Sequence, residues 1–342
     1  MLGDPVRPGA GELTEEQRMS PREPLEPGSP HERDQGRRRE SGPAPARGLT
    51  RREVLLGGGG LALVGIAAAI GLEHSRLTGS VDHLAAHIHL PSSGRATVSH
   101  QTFRSRVLGK DVAYGLAVPA GVAGGTPLPV CFCLPGRGGG PDSVLGAGLD
   151  MGSYLTEVVR GKAEPFALAA VDGGQSYWHR RSDGEDRLAM LTEEFIPLCE
   201  HRHKLGGERS RRAAMGWSMG GYGVLLAAET YPHLFSSVVA TAPAVWPTYQ
   251  AMMLGPRDAF DSAADFAAHD VIGHASRLAG TPLLVECGTV DPFYPYVRDL
   301  CARLPAGSHF RFSPGGHANA YWRTLEPTAL EFVARHLGAL KA

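Results

Sequence analysis

The stretch Ala213-Ala214-Met215-Gly216-Trp217-Ser218-Met219-Gly220-Gly221-Tyr222-Gly223 constrains this chain more than any other. An apolar run leads into Gly-x-Ser-x-Gly, and Val224-Leu225-Leu226-Ala227-Ala228 then continues at helical spacing. A serine in that setting sits on a sharp strand-to-helix turn, its hydroxyl lifted clear of a sheet. Gly216 and Gly220 belong there because a β-carbon would collide where strand and helix nearly touch. With 45 glycines in the chain, the five-residue pattern alone is weak. The apolar run before it and the helical run after it single it out, and Gly221 and Gly223 extend the small-residue surface. Ser218 is the candidate nucleophile.

The chain on either side alternates strands with helices. Two alternating runs, Val98 to Val107 and Val112 to Val118, flank Gly109-Lys110 and read as an antiparallel hairpin. A short, fully apolar strand follows at Pro129 to Leu134, and further strands at Phe166 to Val171, Arg212 to Trp217, Ser236 to Thr241, Leu283 to Cys287 and Phe310 to Ser313. Helices are predicted around Gly152 to Arg160, Glu185 to His203, Tyr294 to Leu304 and Pro327 to Leu337. Residues 243 to 279 lack a strand and are expected as helices over the active-site end. The pattern predicts an α/β domain with a mostly parallel central sheet, helices on both faces and an N-terminal antiparallel hairpin. At 342 residues and 42% hydrophobic composition the chain can bury a sizeable core. A net charge of −1 gives no reason to expect a nucleic-acid partner. Five scattered cysteines make neither a disulfide framework nor a metal site, and Cys131 and Cys133 read as small core residues on one face of a strand.

The front of the chain reads differently. Residues 1–48 are rich in Pro, Gly, Arg and Glu and bury too little apolar surface to offset ordering entropy, so disorder is expected. Met19 is an alternative start. In 49–72, Arg51-Arg52 precede a moderately apolar uncharged run to Leu72 that includes Gly57 to Gly60, the pattern of a twin-arginine export signal. Its rival is a membrane anchor, because the 19 uncharged residues fall just short of the ~20 needed to span a bilayer. Residues 73–96 are expected as a linker, and 97–342 as the catalytic domain. His74, His83, His87 and His89 lie in the linker with no Cys, Asp or Glu to complete a metal site, and read as solvated.

Catalytic groups of parallel α/β sheets gather where strands end. A serine on such a turn needs an imidazole to take its proton and an acid to fix the imidazole tautomer, in the order serine, acid, histidine. Glu286-Cys287-Gly288-Thr289-Val290-Asp291-Pro292-Phe293 places an acid just past one strand, and Ser313-Pro314-Gly315-Gly316-His317 a histidine just past the next. Asp291 has rivals in Asp270 and Glu286, whereas Asp172 precedes the serine and is out of order. The oxyanion of an acyl intermediate needs backbone donors. These are expected from Met219, directly after the serine, and from Arg137 or, second, Gly136, in the loop after the 129–134 strand. Phosphate binding by that loop is disfavoured, because no Gly-Lys-Ser/Thr follows.

With these residues in place the chain resembles the putative-esterase family of α/β-hydrolases, which includes S-formylglutathione hydrolases, feruloyl and acetyl esterases and the antigen 85 mycolyltransferases. The resemblance spans roughly 98 to 338. It rests on Gly216 to Gly223, on Gly288-Thr289-Val290-Asp291-Pro292-Phe293, on Gly315-Gly316-His317 and on Asp172-Gly173-Gly174-Gln175-Ser176. It implies Ser218 as nucleophile, His317 as base, Asp291 as acid, and the Met219 and Arg137 amides as oxyanion donors. Pro135 stands where the similar mycolyltransferase loop carries a carboxylate toward a sugar. The expectation is an exported serine esterase working through an acyl-enzyme, with no metal and no cofactor. Its partner would be a small-molecule or lipid or sugar ester, with membrane contact only through the signal or anchor. Trp217, Gln175, Ser176 and Trp178 are the expected substrate contacts; Tyr177, His179, Trp246 and Tyr249 could line a pocket or pack in the core. The alternatives are an acyltransferase of the mycolyltransferase type and a non-catalytic surface binding protein that kept the fold.

Overall fold

The computed structural model describes residues 94–161 and 164–337. The expected disordered segment, the export signal and the linker as far as residue 93, with its histidines, lie outside the described residues. Among the described residues no helix is long and apolar enough to cross a membrane.

Eight strands make one sheet. In chain order they are β1 (Thr97–Arg104), β2 (Asp111–Val118), β3 (Val130–Leu134), β4 (Ala167–Val171), β5 (Arg212–Trp217), β6 (Val238–Thr241), β7 (Leu283–Gly288) and β8 (His309–Ser313). Across the sheet the order is β1-β2-β4-β3-β5-β6-β7-β8. β1 and β2 form the expected hairpin, β2 also pairs antiparallel with β4, and all remaining pairings are parallel. Strands buried on both faces must be apolar almost throughout, and every residue of β3, β4 and β6 is buried. Cys131 and Cys133 lie in that core, and burial pushes the Cys133 thiol well up.

The helices are α1 (Pro141–Leu145), α2 (Met151–Gly161), α3 (Arg187–Ala189, continuing through Met190–Phe195 to Ile196–His203), α4 (Met219–Thr230), α5 (Tyr249–Met252), α6 (Ala263–Ala268), α7 (Tyr294–Cys301), α8 (Asn319–Arg323) and α9 (Glu326–His336). Strand alternation sorts two of them onto opposite faces. Gly216 of β5 faces α4, where an added β-carbon would stand 2.2 Å from the Gly220 carbonyl oxygen. Trp217, the next residue, points the other way, and its Nε1–H donates to Glu326 Oε1 of α9 at 2.8 Å. The sheet is therefore covered on both faces.

Two features depart from the sequence expectation. The helix over 187–203 widens to a π-helix through Met190–Phe195. That segment carries Glu194, which accepts from Ser105 Oγ (2.5 Å) and from the Arg106 N–H (2.8 Å) and so closes the turn after β1. The short helices α1 and α8 were not expected; each is only five residues long, too short to show an apolar period.

Candidate active site

Ser218 joins β5 to α4 with φ 55° and ψ −117°, a backbone region that costs a non-glycine residue about 1–3 kcal/mol. Three hydrogen bonds hold it there. Its N–H donates to the Thr241 carbonyl, and its own carbonyl accepts from Tyr222 and Ala244 N–H, each at 3.0 Å. Gly220 admits the turn, because a β-carbon there would lie 1.9 Å from the Leu134 carbonyl oxygen.

The loops after β7 and β8 bring the other two groups to this serine. Ser218 Oγ lies 2.8 Å from His317 Nε2, and His317 Nδ1 lies 2.7 Å from Asp291 Oδ2. A carboxylate only accepts, so Nδ1 carries the proton and Nε2 is left with its lone pair toward the hydroxyl. The second Asp291 oxygen accepts from the Phe293 N–H at 2.9 Å, which fixes the carboxylate plane. The Asp291 side chain is wholly buried and that of His317 is 24% exposed, so the imidazole stands at the rim between acid and solvent. The two loops are stitched together by Thr289 N–H to Ser313 O (2.9 Å) and Val290 N–H to Gly315 O (3.1 Å). The His317 ring is flanked by Phe293 and Trp322, with ring centroids 5.2 and 4.9 Å away. Neither ring was singled out as a neighbour of the histidine, because the contacts depend on how two loops and the short helix α8 meet.

The rival acids are elsewhere. Glu286 is buried, pairs with Arg311 at 3.3 Å and accepts from Thr241 Oγ1 at 3.3 Å. Burial pushes its carboxyl up to about 7 despite the arginine. Asp270 caps a turn by accepting from the Ile272 N–H at 3.0 Å.

The loop after β3 runs beside the serine, with a Gly136 β-carbon position 3.6 Å from Ser218 Cβ. Two backbone bonds pin this loop to the one after β4, Gly138 N–H to Gly174 O (2.6 Å) and Gly173 N–H to Gly139 O (3.0 Å). Among the described residues the N–H groups of Gly136, Arg137 and Met219 donate to no backbone carbonyl in the turns and loops. The Arg137 side chain turns away to pair with Asp258 and lies over the Tyr177 ring, 5.9 Å from its centroid. Arg181 ties down the same covering segment, donating to the carbonyls of Asp258 (2.9 Å) and Ala259 (3.2 Å) and to Asp261 Oδ1 (2.8 Å). This arginine holds the Asp261 carboxyl down to about 2. Sequence reading missed the network because its partners stand about eighty residues or more apart.

Two expected substrate contacts are buried. Trp217 is 1% exposed and faces α9 through the sheet, since strand alternation sends it away from the nucleophile's side. Trp178 is fully buried on α4, where a β-carbon on Gly223 would come within 2.5 Å of it. Tyr177 and Trp178 both adopt left-handed backbone, φ 56° and 57°, and this turns both rings inward. The expected Gln175-Ser176 pair is divided: Gln175 is exposed, whereas Ser176 is buried with its hydroxyl unpartnered among the described residues. Of the four other aromatics, Tyr177, His179 and Trp246 are buried in the core, and Tyr249 is half-buried.

A family model described as "Putative esterase" matches residues 105–295, more than half of the chain. No curated protein sequence matches the chain. Solved structures do. A ferulic acid esterase superposes with a TM-score of 0.61 at 21% identity, covering 72% of this chain and 100% of the other. An S-formylglutathione hydrolase from Staphylococcus aureus gives 0.57 at 17% identity over 70% and 99%. A ferulic acid esterase from Anaeromyces mucronatus, in complex with ferulic acid, gives 0.55 at 19% identity over 73% and 94%. At these identities the likeness is one of fold.

Proposed function

The chain belongs to the "Putative esterase" family of α/β-hydrolases and is a serine-type carboxylic ester hydrolase, and we propose that it is exported and cleaves its ester through an acyl-enzyme on Ser218. The observation that carries the mechanism is the continuous relay from Ser218 Oγ through His317 to Asp291, at 2.8 and 2.7 Å. As Oγ attacks the acyl carbon, its proton passes to His317 Nε2, and the buried Asp291 carboxylate stabilises the imidazolium that forms. The carbonyl oxygen becomes an oxyanion and accepts from the N–H groups of Met219 and Arg137, with Gly136 beside them. His317 returns the proton to the departing alkoxide oxygen, and the alcohol leaves. Water, deprotonated by His317, then repeats the sequence on the acyl-enzyme and frees the acid with Ser218 restored.

Water as acceptor is favoured over a sugar. Holding a sugar needs fixed polar groups near the oxyanion loop. Pro135 offers none, the Arg137 guanidinium is engaged by Asp258, and of the Gln175-Ser176 pair, which would favour a sugar, only Gln175 is exposed. The test supplies short-chain and aryl esters, feruloyl among them, with and without millimolar trehalose, and separates free acid from acylated sugar. Free acid is expected to predominate in both; predominant acyl-trehalose would install the mycolyltransferase-like reading instead.

Export is proposed from Arg51-Arg52 ahead of the uncharged run. Changing the pair to Lys-Lys is expected to leave the protein inside the cell, as judged by fractionation and immunoblotting. Undiminished delivery across the membrane would mean a general signal or an anchor.

A further inference from the structure

We propose that Arg187 is a positioning residue for ester hydrolysis, holding the N–H donors of the oxyanion loop in place through the Asp172-Gly173-Gly174 loop; the inference rests on the ester-hydrolase reading of the site. Arg187 opens α3, and its side chain is only 3% exposed. Burying a guanidinium costs stability unless the charge is paired and hydrogen-bonded. Glu185 accepts from its Nε at 2.7 Å. Asp172 accepts from its Nη1 twice, through the main-chain carbonyl at 2.8 Å and through Oδ1 at 3.2 Å.

The oxyanion loop needs an anchor because it has little of its own to pack. Residues 136–140 read Gly-Arg-Gly-Gly-Gly, and glycine leaves a backbone free to adopt many conformations. Gly136 to Gly139 form a turn closed by Gly139 N–H to Gly136 O at 2.9 Å, with Gly138 at φ 70°. A positive φ at the third residue is what a type II turn requires. Arg137 is the second residue, so the direction of its N–H follows the turn as a whole. Two bonds fix the turn to the loop after β4, Gly138 N–H to Gly174 O and Gly173 N–H to Gly139 O. The Arg137–Asp258 pair also reaches this loop, but the Asp258 side chain is 67% exposed, and pairs so open to water hold little.

The second loop is in turn shaped around Arg187. Asp172 Oδ1, which Arg187 holds, also accepts from the Gly174 N–H at 2.9 Å and so closes the loop on itself. The guanidinium lies directly against Gly174, where an added β-carbon would stand 2.1 Å from Nη2. Gly173 meets the site: a β-carbon there would lie 3.0 Å from Pro135 Cγ and 3.5 Å from Met219 Cε. The contacts therefore run without a break from Arg187 through Asp172 and Gly174 to Gly138, the neighbour of the Arg137 donor. Removing the guanidinium takes away both bonds to Asp172 and the surface on which Gly174 rests. The carbonyl of Gly174, and with it the turn that presents the Arg137 N–H, is then free to shift.

The test compares Arg187→Met with wild type in the full-length chain, by steady-state ester hydrolysis across pH and by inhibition with a trifluoromethyl ketone. Methionine keeps the length of the side chain and removes its donors. A displacement of about 1 Å in a positioned group can cost about 10² in rate, so kcat is expected to fall about 10²-fold with KM within about threefold. The ketone's adduct on Ser218 carries its oxyanion where that of the ester forms, so its affinity should fall by a comparable factor. The acid limb of the pH profile should stay with wild type, because Arg187 pairs with Asp172 and Glu185 and not with the relay. A folded variant with wild-type kcat, a rise in KM alone, or a displaced acid limb would overturn the role. Should Arg187→Met fail to fold, Asp172→Ala decides, since it removes Oδ1 from both Arg187 and the Gly174 N–H. About a tenfold lower kcat at unchanged KM is expected, and wild-type kcat would overturn the role. Wild type that hydrolyses no ester would overturn the hydrolase reading itself, and this role with it.

Discussion

Replacing Ser218 by alanine is expected to lower kcat/KM for ester hydrolysis by about four to six orders of magnitude, the scale on which a serine nucleophile is lost. The fold should survive. Alanine keeps the β-carbon that already occupies the turn at φ 55°, and the backbone bonds to Thr241, Tyr222 and Ala244 do not involve the hydroxyl. What disappears is the single hydrogen bond to His317 Nε2, a loss of about 1 kcal/mol. A chromogenic ester assay beside a thermal melt checks both halves. Retention of more than about a hundredth of the wild-type rate would move the nucleophile elsewhere.

Asp291→Asn is the second large effect, a drop of about 10⁴ in kcat with little change in KM. The reason lies in which oxygen each partner uses. The Phe293 N–H must keep an acceptor, so the amide oxygen takes that position and the NH₂ group is turned toward His317. Facing a donor, Nδ1 gives up its proton and the ring carries hydrogen on Nε2. That hydrogen points at Ser218 Oγ, and the base becomes a donor. Asp270→Asn, by contrast, replaces an acceptor for the Ile272 N–H by another acceptor, and activity should stay within a few-fold of wild type. A dead Asp270 variant beside an active Asp291 variant would transfer the acid's role.

The sequence made the sheet and the relay legible because both are written locally. Val-Cys-Phe-Cys-Leu, short and apolar throughout, reads as a strand buried on both faces, and glycines at 216 and 220, set between an apolar run and a helical one, mark a crossing too tight for a β-carbon. The acid and the histidine each sit in a Gly-containing turn just past a strand, so their meeting follows from the order of strands. The aromatic residues were harder. Trp217 obeys the two-residue period of its own strand, which sends it to Glu326, and its place beside the serine in sequence is no guide to its place in space. Trp178 is turned inward by two consecutive left-handed residues, neither of them glycine, and nothing in Tyr177-Trp178 signals that conformation. The partners of the covering segment, such as Arg137 with Asp258 or His179 with Asp265, are charged or polar groups far apart in sequence. Their pairing belongs to tertiary structure alone.

The central claim is that Ser218 is held as an activated nucleophile, and a fluorophosphonate probe followed by peptide mass mapping tests it most directly. Only a serine whose proton can be taken by a neighbouring base reacts readily with such a reagent. The relay through His317 and Asp291 predicts one adduct per chain, carried by the peptide that contains Ser218, formed far more slowly in Asp291→Asn and absent from Ser218→Ala. A folded wild-type protein that takes up no probe, or an adduct on any other serine, would contradict it.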